Sequence, residues 1–95
     1  MATEQQWDSL RWKTRRGMRE LDLMLEPFVD RHLPTLGEET FKKYNDFLNL
    51  TDLELVRYLL RRVEPVDPEI KAMVDLIIKC HDADLLAGYV PAYND

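Results

Sequence analysis

Apolar residues recur along this chain at three- and four-residue intervals, and no stretch sustains the alternation of a half-buried strand. Trp7, Leu10 and Thr14 share one face of a first helix expected over Thr3–Arg16, with Trp12 off that face. Thr3 and Gln6 stand at capping-box spacing at its start. Met18, Leu21, Leu25 and Phe28, with Met24 beside them, give a second helix that begins directly after Gly17. Pro27 is expected to kink this helix, the pattern continues through Val29 to His32, and Pro34 closes it.

Thr35 with Glu38 repeats the capping-box spacing before a third helix, whose inward residues would be Phe41, Tyr44, Phe47 and Leu48. Thr51 with Glu54 does so before a fourth, with Leu53, Val56, Leu59 and Leu60 inside. Asp67-Pro68 is a start signal for a fifth helix. That helix carries Ile70, Met73, Val74, Ile77 and Ile78 as an apolar stripe and should end near Gly88. The expected fold is therefore all-α, a compact bundle of about five short helices joined by short loops. One domain spans residues 1–88, and 89–95 form a flexible tail.

Composition narrows the class without naming a chemistry. With 95 residues, 45% apolar and 33% charged, the chain can bury one core, and three glycines and five prolines are too few for a disordered chain. The formal charge of -5 disfavours a general nucleic-acid binder, so no nucleic-acid partner is expected. Cys80 is the one cysteine, which fits a reducing compartment. No apolar run approaches the roughly 20 residues that span a bilayer, so membrane insertion is not expected. The first residues lack the basic and then apolar character of a signal peptide, and a cytoplasmic, bacterial setting is expected.

Catalytic signatures are missing from the sequence. There is no glycine-rich phosphate loop, nucleophile elbow or zinc-binding helix motif, so neither a catalytic nor a cofactor-binding residue is assigned. Cys80 and His81 point about 100° apart on a helix, and a metal site is not expected there. Met24 and Met73 read as core, Cys80 as a small apolar residue, and Arg57, Arg61 and Arg62 as a solvated face.

The stretch Arg15-Arg16-Gly17-Met18-Arg19-Glu20-Leu21-Asp22 is different in kind. It gathers positive charge within an acidic protein and places a glycine between two helical patterns. Arg15 and Arg16 are expected in the last turn of the first helix, where cations suit the negative end of the macrodipole. Glu20 and Asp22 fall in the first turns of the second, where carboxylates suit the positive end. Ordinary capping accounts for that arrangement, and so does a recognition corner. In the second reading Arg16 offers a planar fork of donors, Gly17 admits a partner's backbone, and Glu20 holds Arg16 or meets the partner. The same residues, with Arg11, Lys13 and a stacking Trp12, would also serve a small domain that binds RNA or another polyanion. Glu20, Asp22 and the net charge favour a folded protein partner.

The run Trp12-x-x-Arg15-Arg16-Gly17-Met18-Arg19-Glu20-Leu21-Asp22 resembles the signature of the succinate dehydrogenase flavinylation factors, whose hallmark is Arg-Gly-x-x-Glu. The Pro27-Phe28 pair, the Phe41–Leu48 helix and the Asp52–Leu60 segment are also similar to that family's layout. The resemblance implies an all-helical assembly factor, not an enzyme. Such a factor would bind the flavoprotein subunit of succinate dehydrogenase, or of fumarate reductase, and promote covalent attachment of FAD to it. It implies that Arg16, Gly17 and Glu20 touch the flavoprotein near its FAD, with Met18, Arg19 and Asp22 flanking and Arg15 and Trp12 beside them. FAD belongs to the partner, and no tightly bound cofactor is expected on this chain. The charged Arg61-Arg62-Val63-Glu64 and the final residues depart from the family pattern and leave the choice between the two flavoproteins open.

Overall fold

Thr3 opens the first helix as its spacing requires. Its hydroxyl accepts the Gln6 N–H at 3.2 Å, and the Gln6 side-chain oxygen accepts the Thr3 N–H at 2.8 Å. This chain is described by a computed structural model covering residues 2–89, in which every regular element is helical. The helices are α1 (Glu4–Thr14), α2 (Arg19–Pro27), α3 (Glu38–Phe47), α4 (Asp52–Leu55) and α5 (Pro68–Leu86). The residues expected as a tail lie, from 90 onward, outside the described residues.

α1 stops at Thr14, two residues short of the expected end at Arg16. Two side chains divert the backbone there. The Thr14 hydroxyl donates back to the Leu10 carbonyl at 2.8 Å, and Asp22 Oδ1 accepts the Arg16 N–H at 3.0 Å. A continuing helix would have spent that N–H on the Trp12 carbonyl. Arg15 is consequently extended, with φ −75° and ψ 117°, and does not sit in the last helical turn. Arg11 and Lys13 occupy that turn instead.

α2 is the central element and packs against α1, α5 and the Val56–Leu60 turn. Leu21 and Leu25 on its inner face are both 0% exposed, and burial of each contributes about 1.5–3 kcal/mol. Pro27 has no N–H to continue the α-helical ladder. The chain loosens into a π-helical turn over Phe28–His32, closed by the Leu33 N–H on the Phe28 carbonyl, and then tightens into a 3-10 turn over Leu33–Thr35. Helical backbone continues past Pro27, as expected from the pattern through His32.

The Thr35–Glu38 capping box does not form. An N-cap residue needs an extended backbone, but Thr35 lies inside the 3-10 turn and donates its hydroxyl to the His32 carbonyl at 2.8 Å. Gly37, at φ +88°, takes the N-cap position of α3. On α3 the expected inward residues Tyr44, Phe47 and Leu48 are buried, and Phe41 is half-buried with its ring edge-on to Trp7 at 4.8 Å.

The Thr51–Glu54 box does form, with the Glu54 carboxylate accepting the Thr51 N–H at 3.0 Å. Of the expected inward residues, Leu59 is buried and Val56 and Leu60 pack at the edge of the core, but Leu53 is not inside. Leu53 is 79% exposed, whereas Leu55 and Leu59 are fully buried. Leu53 and Leu55 point to nearly opposite sides of a helix, so only one can be inside. A further π-helical turn over Val56–Leu60 brings Leu59 onto the core beside Leu55.

α5 starts at Pro68 with Asp67 Oδ1 accepting the Glu69 and Ile70 N–H groups. Met73, Val74 and Ile77 enter the core, while Ile70 and Ile78 pack at its edge. The helix ends in a Schellman turn around Gly88, whose φ is +80°. The Tyr89 N–H meets the Asp84 carbonyl at 2.9 Å, and the Gly88 N–H meets that of Leu85 at 3.1 Å. No helix among the described residues is long and apolar enough to cross a membrane.

Candidate functional site

The Arg15–Met18 connection between α1 and α2 is built by three residues acting at different depths. Gly17 lies in the left-handed region at φ +75°, where a side chain costs roughly 1–2 kcal/mol. An added Cβ would meet nothing within 4 Å, so the space above Gly17 is open. Beneath it, Asp22 is 5% exposed and fixes the turn by accepting the Arg16 N–H. Met18 is half-buried, packs against the core and serves as the N-cap residue of α2.

Arg16 turns inward. Its side chain is 15% exposed and spans to the α3–α4 loop. One guanidinium nitrogen donates to the Leu50 carbonyl and to Asp52 Oδ1, each at 3.3 Å, and the other donates to the Leu48 carbonyl. Those carbonyls follow the end of α3, where the helix leaves acceptors without intrahelical donors. A flat fork with several N–H groups suits three converging acceptors as a single ammonium does not. Its Nε is buried without a partner among the described residues. Asp52 and Asp22, and not Glu20, therefore hold Arg16. Glu20 and Arg19 are exposed on the first turn of α2.

Arg15, Arg11 and Lys13 are engaged with carboxylates and an amide of this chain. Arg15 meets Glu26 at 3.2 Å. Arg11 reaches Asp30 at 3.4 Å and Asp8 at 3.5 Å, and lies 5.6 Å from the centre of the Trp7 ring. Lys13 donates to Asn45 at 3.2 Å. A stripe paired in this way offers little uncompensated charge to a polyanion. Trp12 is 78% exposed, off the core face as expected.

Two polar links behind the corner were not legible in the sequence. The Thr14 hydroxyl gives its proton to Leu10, so the Tyr44 hydroxyl, 3.0 Å away, must be the donor in the Thr14–Tyr44 bond. Burial raises the Tyr44 hydroxyl well above its usual range, against the smaller downward pull of the Arg16 charge. At the far side of α2, His32 Nε2 lies 3.0 Å from both Asp84 oxygens, and Arg31 lies 3.4 Å from Oδ1. Arg31 also stacks on the Tyr89 ring at 3.8 Å. Burial pushes the Asp84 carboxyl up, but the His32 bond and charge, with Arg31, outweigh it and leave the group below its ordinary value. Burial and the nearby Asp84 raise the half-buried Cys80 thiol, which makes it a poorer nucleophile. Among the described residues no group of three or more His, Cys, Asp or Glu is placed to hold a metal ion.

Residues 8–81, which include the whole Arg15–Asp22 corner and the α3–α4 loop that Arg16 reaches, match the model of a family described as flavinator of succinate dehydrogenase. The chain belongs to this family. FAD assembly factor SdhE of Pseudomonas putida is 36% identical over 78 residues, covering 82% of this chain and 93% of that relative. The Pseudomonas aeruginosa factor of the same name has the same identity and coverage. The factor from a Serratia species is 37% identical over 68 residues, covering 72% of this chain and 77% of its own. The match spans α2, α3 and α4 in full and most of α1 and α5, so it concerns the fold that carries the corner as well as the corner itself.

Proposed function

We propose that this chain is a cytoplasmic assembly factor for the flavoprotein subunit of succinate dehydrogenase or fumarate reductase. It docks on that subunit through the Arg16–Glu20 corner and promotes covalent attachment of FAD there, with no catalytic turnover of its own. The family match over residues 8–81 carries this reading. The geometry of the corner supports it.

The motif residues divide the work. Gly17 is the approach point, since the open space above it admits a partner's backbone where a long side chain would intrude. Glu20 and Arg19, exposed beside it, supply polar contacts, and Trp12 and Arg15 form the neighbouring surface. Arg16 and Asp22 act from beneath. They fix the turn and the α3–α4 loop before the partner arrives, which lowers the ordering cost of docking. The FAD stays with the flavoprotein, whose own groups carry the bond formation.

Covalent flavin on the partner, read as in-gel fluorescence after co-expression with this chain or with Gly17→Arg, tests the reading. Wild-type stimulation lost in a folded Gly17→Arg protein is the expected result. Unchanged flavinylation in that variant would remove the corner from the mechanism.

A further inference from the structure

A second surface adjoins the corner through Leu50. The Leu50 carbonyl is one of the acceptors held by Arg16, and its side chain lines a groove of about 420 Å³ between α3 and α5. The groove has an apolar floor of Phe47, Ile70, Met73 and Leu76. Its edges carry Asp46, Asp67 and Glu69 against one cation, Lys43, which lies 3.4 Å from Glu39. Asp46 stands in the last turn of α3, where a negative charge opposes the macrodipole, so it does not serve its own helix.

We propose that this groove receives a basic amphipathic segment of the flavoprotein partner, one that sets an apolar side chain on the floor and a lysine or arginine at the acidic edge. The proposal rests on the docking reading above and extends its footprint past Leu50. Two observations select this occupant. The acidic edge complements cations and would repel a second copy of a chain whose net charge is -5. Arg16 ties the groove's Leu50 wall to the Gly17 turn, so the groove adjoins the corner proposed to dock.

The test titrates the source cell's own flavoprotein subunit with wild type, Gly17→Arg, Ala72→Arg and Asp46→Lys, at low and at physiological salt. Ala72 is an exposed lining residue on α5, and arginine is a good helix former, so Ala72→Arg fills the groove while α5 is kept. Asp46→Lys improves the α3 dipole and reverses the charge of one of the three edge acids. Ala72→Arg and Asp46→Lys should each weaken binding at least tenfold with melting unchanged, and the Asp46→Lys loss should shrink as salt rises. If Gly17→Arg abolishes binding while both groove variants bind as wild type, the groove proposal is overturned and the corner stands. If none of the three variants changes affinity, both fall. A wild-type dimer that Ala72→Arg splits, with partner affinity unchanged, would assign the groove to a second copy and overturn the proposal.

Discussion

Arg16 and Asp52, 36 residues apart in sequence, meet at 3.3 Å and join the α1–α2 turn to the start of α4. The same guanidinium holds the Leu48 and Leu50 carbonyls, so one side chain ties three segments of the bundle together. An arginine in a recognition motif is readily pictured reaching outward. Here it sets the shape of the surface on which Gly17 and Glu20 are displayed.

Removing that clamp should cost stability as well as function. Arg16→Ala leaves two loop carbonyls and Asp52 without this donor, a loss of about 2 kcal/mol or more. Arg16→Lys retains the charge but cannot span three acceptors, and should recover only part of it. Urea denaturation of the two variants checks the order wild type, Lys, Ala.

The Thr14–Tyr44 bond predicts an asymmetry. Tyr44→Phe removes a donor while Thr14 keeps its bond to Leu10, and should cost about 1 kcal/mol. Thr14→Val strands the buried Tyr44 hydroxyl, and should cost more, about 1–3 kcal/mol. The paired urea midpoints read the difference directly. Equal losses would mean that Tyr44 is not the donor.

Leu53 and Leu55 separate the two possible phases of α4. Leu55→Ala opens a cavity in the core and should cost about 2–5 kcal/mol. Leu53→Ser, at a largely exposed position, should stay within about 0.5 kcal/mol of wild type. A large loss at Leu53 would restore the face expected from periodicity.

The Asp84 carboxyl lies below its ordinary value of 3.8, so its interactions stabilise the fold when it is ionised, above its unfolded value. That contribution is lost as pH falls below about 3.8 and through the lower folded value. Asp84→Asn should therefore be destabilised by about 1–3 kcal/mol near neutrality and converge on wild type in acid. Melting temperatures of both proteins from pH 7 to pH 2.5 test this sign.

How far the sequence could be read depended on whether a structural choice was made locally. Thr3–Gln6, Thr51–Glu54 and Asp67-Pro68 bond within three residues of themselves, and each starts a helix where its spacing indicates. The Thr35–Glu38 spacing was equally good, but Pro34 drew Thr35 into a 3-10 turn and Gly37 took over. The end of α1 was hidden because Asp22, on the next helix, takes the N–H that a longer helix would need. The phase of α4 was ambiguous by composition, since Leu53, Leu55, Val56, Leu59 and Leu60 fit more than one face. At the corner, the residues and the glycine turn were legible, and their roles were not. Arg16 finds Leu48, Leu50 and Asp52 only once α3 and α4 have folded beside it, and the His32–Asp84 pair likewise spans 52 residues.

The most direct measurement of the central claim compares Gly17→Arg with Gly17→Asn. Asparagine tolerates the left-handed backbone and is short, whereas arginine fills the open space above the turn. Both should remain folded, since roughly 1–2 kcal/mol of strain is less than the stability of a typical domain. With both variants matched for melting temperature, covalent flavin on the co-expressed flavoprotein subunit should be largely kept with Gly17→Asn and lost with Gly17→Arg. Equal flavinylation by wild type and a folded Gly17→Arg would contradict the claim that this corner is where the partner docks.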